Sequence, residues 1–123
     1  MVPCETTKVI LPTAPRKPVS CNNGYVMTSW FDIFSIGENE DESPNYDGLK
    51  DPEILKKARS EYSQKDLIES SDFLIKLIEK EAEEVRSTKN VFIGGFSQGA
   101  ILSLATFLRY DKSLGGVVGL SGI

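Results

Sequence analysis

Gly95-Phe96-Ser97-Gln98-Gly99 is the stretch of this sequence whose residue types and spacing suit covalent chemistry. It matches G-x-S-x-G, a pattern that presents a serine hydroxyl as a nucleophile on a sharp strand-to-helix turn. Alone the pattern is weak, since glycine makes up ~7% of residues and chance supplies it in some chains. Its setting makes it specific. Val91-Phe92-Ile93-Gly94-Gly95-Phe96 reads as a buried strand, and Gln98 to Tyr110 as a helix that is apolar on most sides. A serine oxygen that projects from a sheet into a cleft needs a strained turn. Gly95 and Gly99 are expected to remove Cβ atoms that would clash there. The backbone N–H of Gln98 would then point at negative charge developing on a substrate carbonyl oxygen. The helix N-terminus adds a dipole of the right sign for that charge. Ser97 is thus the candidate nucleophile and Gln98 N–H the candidate oxyanion donor. Ser103, six residues further along the helix, reads as a small packing residue.

The elements that must position these groups follow from periodicity. Lys8-Val9-Ile10-Leu11-Pro12 is an apolar run stopped by proline and reads as a buried strand. A proline- and asparagine-rich loop is expected from Pro12 to Gly24. Ser29-Trp30-Phe31-Asp32-Ile33-Phe34 is apolar but too short to assign. Glu38 to Pro44 is an acidic, solvated connection, and Pro52 suits the start of a helix over Glu53 to Glu61. Ser63 opens Ser-x-x-Asp, a relative of the capping box. The clearest helix follows it, with Leu67, Ser71, Leu74, Ile78, Ala82 and Val85 on one face. Leu114 to Leu120 holds a third apolar strand. Apolar strands alternating with helices indicate an α/β fold with a mostly parallel sheet.

Composition narrows the function classes. The chain has 123 residues, a net charge of −4 and 26% charged residues, which argues against a nucleic-acid partner. No apolar run reaches the roughly 18 residues of a membrane span, although contact with a membrane surface stays open. Cys4 and Cys21 read as reduced thiols, which points to the cytoplasm. The chain contains no histidine. That removes the usual general base at neutral pH and the commonest zinc ligand, and no metal or cofactor is expected.

With the serine turn in hand, a resemblance becomes specific. Gly94-Gly95-Phe96-Ser97-Gln98-Gly99-Ala100 resembles the nucleophile segment of the acyl-protein thioesterase/carboxylesterase family of the α/β-hydrolases. Ile10 to Pro15, Ser29-Trp30-Phe31-Asp32 and Leu114 to Gly122 resemble other segments of that family in the same order, with Glu38 to Gln64 departing from it. The resemblance implies a partial α/β-hydrolase fold over residues 1–123, the central part of one domain. It implies a serine hydrolase of acyl esters or thioesters, with an acylated protein or small acyl ester as substrate. Ser97 would be the nucleophile, Gln98 N–H one oxyanion donor, and Trp30 would line the substrate pocket. The family's first strands and its second oxyanion donor are expected before Lys8, and its aspartate and histidine after Ile123. Asp32 and Asp111 are therefore poor candidates for a triad acid. The competing expectation is a catalytically dead hydrolase relative that serves as a binding module.

Overall fold

A computed structural model describes residues 6–34 and 61–122. Cys4, the acidic stretch from Glu38 to Pro44 and nearly all of the helix expected over Glu53 to Glu61 lie outside them.

The described chain opens on residues 6–15, which form no strand. This corrects the buried strand expected at Lys8–Pro12. Val9 is 69% and Leu11 86% exposed. An apolar run forms a strand only where a neighbour takes its backbone hydrogen bonds, and no described strand lies beside this one. Lys8 instead anchors the segment by its ammonium, which donates to Glu81 and Glu84 at 2.9 Å each.

The expected loop contains an antiparallel hairpin, a second correction. Strand β1 (Arg16–Val19) pairs with β2 (Tyr25–Thr28) in a register running from Arg16↔Thr28 to Val19↔Tyr25. A 3-10 turn over Ser20–Asn22 joins them. Asn23 and Gly24 complete the reversal at φ 55° and 74°, the left-handed backbone that asparagine and glycine tolerate best.

Helix α1 (Gln64–Val85) begins where the sequence places it. Ser63 is its N-cap, and the Ser63 hydroxyl accepts from the Asp66 N–H at 3.2 Å. Leu67, Ser71, Ile78 and Ala82 are buried as the periodicity requires, while Val85 at the last turn is exposed. Arg86 ends the helix in the left-handed region at φ 67°.

Strand β3 (Phe92–Phe96), helix α2 (Gln98–Arg109) and strand β4 (Gly116–Leu120) form a β-α-β unit. The strands pair in parallel from Phe92↔Gly116 to Phe96↔Leu120. The described sheet is therefore two-stranded, where three parallel strands were expected. Helix α2 buries Ala100, Leu102, Ser103 and Thr106, so Ser103 is the packing residue anticipated. Phe107 and Leu108 are exposed, and Leu104, beside Gly119 of β4, is only partly covered. The core sits where the Trp30–Ile33 segment meets both helices. Phe31, Leu67 and Leu102 are its buried centre, with Trp30, Ile33, Tyr62 and Leu74 packed around them. Complete burial of a residue such as Phe31 stabilises by about 1.5–3 kcal/mol. Among the described residues no helix is long and apolar enough to cross a membrane.

Candidate active site

Ser97 occupies the single residue between β3 and α2. Its backbone is at φ 52°, ψ −115°, a region that a side chain rarely adopts. Three hydrogen bonds hold it there. The Ser97 N–H donates to Leu120 O at 2.8 Å, which ties the turn to the end of β4. The Ser97 carbonyl accepts from Ala100 N–H at 3.0 Å and Ile101 N–H at 3.2 Å, which starts the helix. Ser97 itself is exposed.

The two flanking glycines differ. A Cβ on Gly95 would stand 2.3 Å from the Gly99 carbonyl carbon and 2.8 Å from Ala100 N, so no side chain fits. A Cβ on Gly99 would meet nothing within 4 Å. The expectation that both glycines relieve a clash is corrected: Gly95 does, and Gly99 supplies the backbone that Gly95 must clear.

Helix α2 has no acidic residue in its first turn. Helix geometry leaves the N–H groups of Gln98 and Gly99 without intrahelical acceptors. The positive end of the dipole is therefore not neutralised from within the helix, and it faces the position of Ser97.

Trp30 lies beside this turn. A cleft of ≈ 550 Å³ is lined by Leu11, Trp30, Gly95, Phe96, Gln98 and Leu102. A second cavity of ≈ 340 Å³ shares Ile10, Pro12, Leu74 and Gly94 with it. Trp30 stacks on Phe73 of α1, centroids 6.2 Å apart and planes 29° apart. The Trp30 carbonyl accepts a hydrogen bond from the Ser70 hydroxyl.

The sequence did not disclose what the Gln98 side chain does. Gln98 Oε1 accepts from Trp30 N–H at 2.8 Å. Gln98 Nε2 donates to Ser29 Oγ at 2.9 Å and to Phe31 O at 2.7 Å. The turn is thereby bonded to a segment nearly seventy residues earlier. No periodicity or spacing could pair the two; only the matching of both segments to one family hinted at it.

Asp32 belongs to the same segment and is committed elsewhere. Its carboxylate accepts from Ser20 N–H at 2.8 Å and Ser20 Oγ at 2.5 Å. Burial pushes this carboxyl up, but the two Ser20 bonds, the Ile33 N–H and the Lys17 charge outweigh it and hold it below the usual carboxylate range. Asp32 N–H in turn donates to Asp66 at 3.0 Å. Among the described residues no group of three His, Cys, Asp or Glu side chains gathers as a metal site, and Cys21 is a free thiol.

The profile of the Phospholipase/Carboxylesterase family matches residues 1–123. The chain belongs to this family. Among family relatives, carboxylesterase SOBER1 of Arabidopsis thaliana is 38% identical over 113 residues, 92% of this chain and 42% of that protein. Acyl-protein thioesterase 1 of Debaryomyces hansenii is 38% identical over 120 residues, 97% of this chain and 44% of that protein. The crystal structure of Arabidopsis SOBER1 superimposes with a TM-score of 0.63 at 36% identity, over 88% of this chain and 43% of the other. The fold is thus part of an α/β-hydrolase fold, and the chain spans less than half the length of these Phospholipase/Carboxylesterase relatives.

Proposed function

We propose that these residues carry the nucleophile of a serine hydrolase acting on acyl esters or thioesters, of the acyl-protein thioesterase/carboxylesterase kind, in the cytoplasm. The observation that carries this is Ser97 at φ 52° between β3 and α2, with an uncompensated helix N-terminus beside it. Family membership and the names of the relatives support it.

In this reading Ser97 Oγ attacks the acyl carbonyl carbon while its proton passes to a base. The carbonyl oxygen becomes an oxyanion facing the Gln98 N–H and the dipole of α2. Collapse of the tetrahedral adduct breaks the C–S or C–O bond, and the leaving thiolate or alkoxide takes the proton. Water then hydrolyses the acyl-serine and restores the hydroxyl. Trp30 and the cleft beside it form part of the wall against the acyl group. These 123 residues contain no histidine, so turnover requires a base from outside them, and by themselves they hydrolyse little. The second reading is a catalytically dead hydrolase relative that serves as a binding module.

The test is prolonged incubation of the chain with a fluorophosphonate probe, followed by peptide mapping. The Gln98 N–H and the α2 dipole retain part of the residual advantage, roughly 10³–10⁴-fold over water, that an intact oxyanion hole and binding give a site without its triad. Ser97 should therefore be modified selectively, and the Ser97→Ala variant should stay unmodified at this peptide. Label spread evenly over the surface serines would overturn the nucleophile assignment. Selective Ser97 labelling, without turnover by any natural protein that contains these residues, would favour the binding module.

A further inference from the structure

Helix α2 begins with a glutamine whose side chain reaches into the protein. Its carboxamide offers two N–H donors and a carbonyl oxygen. Both donors and the oxygen are engaged by Ser29, Trp30 and Phe31. The orientation is forced. Phe31 O can only accept and Trp30 N–H can only donate, so a flipped amide would set like against like at both. The Ser29 hydroxyl fits this order, because it gives its own proton to Phe31 O at 2.8 Å and is left to accept from Gln98. Ser29 is 2% exposed and Phe31 fully buried. A group displaced from these bonds would leave buried polar atoms unpaired.

The same bonds fix Trp30. Its N–H is held by Gln98, its carbonyl by Ser70, and its ring by Phe73. Gln98 is also the residue after Ser97, so its Cα is held from two sides. The backbone leads to the strained serine, and the side chain leads to the core. The peptide that carries the Gln98 N–H also carries the Ser97 carbonyl, which accepts from Ala100 and Ile101 N–H, while the three side-chain bonds fix the Cα at its other end. A glutamate at this position could keep the bond from Trp30, could bond Ser29 only by drawing its hydroxyl away from Phe31 O, and could not bond Phe31 O. It would also place a negative charge at the end of the helix where the structure keeps none.

We infer that the Gln98 side chain is a positioning residue: its three bonds to Ser29–Phe31 fix the Cα to which the Gln98 N–H is attached and the place of Trp30 as one rigid wall beside Ser97. This rests on the reading of Ser97 as the nucleophile. The side chain touches no reacting atom, and it acts through the peptide and the indole it holds.

The experiment uses the 123-residue chain and two readouts. Trp30 is the sole tryptophan, so acrylamide quenching of its emission reports this wall alone. Saturation kinetics of Ser97 modification by a fluorophosphonate separate the maximal rate from the half-saturating probe concentration. The Gln98→Met variant keeps the length and removes all three bonds. Ser29→Ala removes one partner and guards against a Gln98→Met chain that does not fold. Gln98→Met should raise the quenching constant about twofold. It should also lower the maximal labelling rate about tenfold or more, the scale of a small misplacement of a reacting group. The half-saturating concentration should stay within about twofold. Ser29→Ala should shift both readouts in the same direction by less, and Gln98→Glu should not restore the rate. Unchanged quenching in both Gln98→Met and Ser29→Ala would overturn the wall. Looser Trp30 with an unchanged maximal rate would overturn positioning and leave a purely structural brace. A wild-type chain whose Ser97 labels no faster than its other serines would sink the nucleophile reading itself, and this inference with it.

Discussion

Gly95 and Gly99 flank the same serine in opposite steric situations, which allows a sharp comparison. In Gly95→Ala the new Cβ would meet backbone at 2.3 Å, and backbone cannot rotate away. The expected loss is about 3 kcal/mol or more, at the upper end of overpacking costs. Gly99 is helical, with open space where a Cβ would go. Gly99→Ala should therefore stabilise by about 0.4–1 kcal/mol, chiefly by restricting the unfolded chain. Urea titration of both variants checks this, and equal losses would refute it. Asp32 gives a pH-dependent prediction. Its folded carboxyl titrates below the unfolded one, so its contribution is complete above the unfolded pKa of ~3.9. It is lost as pH falls through the lower folded value. The stability difference between wild type and Asp32→Asn should be largest above about pH 5 and shrink on acidification. A difference that stays constant from pH 7 to pH 3 would contradict the assignment.

Helix α1 shows how a local signal and a tertiary contact share one residue. Ser63 caps the helix through its hydroxyl, while its N–H donates to Asp32 O at 2.8 Å. Ser63→Ala removes the first and leaves the second. The expected cost is about 1 kcal/mol, typical of an N-cap serine, with the helix otherwise kept. Thermal melts followed at the helix band would measure it, and no change in midpoint would show that the hydroxyl contributes nothing. The hairpin teaches a different lesson. Asn23-Gly24 is a strong reversal signal, yet Pro18 and the polar residues around it mask the strands. Proline removes a ladder donor, so β1 carries little period-two pattern. The segment Ser29–Asp32 has no regular structure at all. Its polar backbone is satisfied by side chains from α1 and α2 and by the backbone of Ser63 and Pro15, a solution that no propensity encodes.

At the scale of the molecule, the parallel pair β3–β4 is covered on one face only among the described residues. Phe92, Phe96, Val118 and Leu120 alternate onto the other face, and Phe92 is 71% and Phe96 70% exposed. Parallel sheets are ordinarily buried on both faces, and exposed apolar strands associate. The isolated chain should therefore bind the dye ANS and sediment as concentration-dependent oligomers. Val118→Lys sets a charge in the middle of this face and should shift sedimentation toward monomer without altering the β3–β4 pairing. A wild-type chain that remains monomeric at high concentration and binds no dye would show that the face is protected.

The sequence by itself determined the serine turn, the two long helices, the parallel strands around the turn, and the lack of a histidine. Each rests on short-range information: a five-residue pattern, the 3.6-residue repeat of Leu67 to Ala82, a buried apolar run, a count. Tertiary structure decided the rest. Lys8–Pro12 has the composition of a strand and is not one, because strand formation needs a neighbour and composition does not name it. Gly99 fits the motif as well as Gly95 does, but only the path of the backbone shows which of the two meets a clash. The tie between Gln98 and Ser29–Phe31 spans nearly seventy residues. It arises from three complementary hydrogen bonds that exist once the core around Phe31 and Leu102 has brought the segments together.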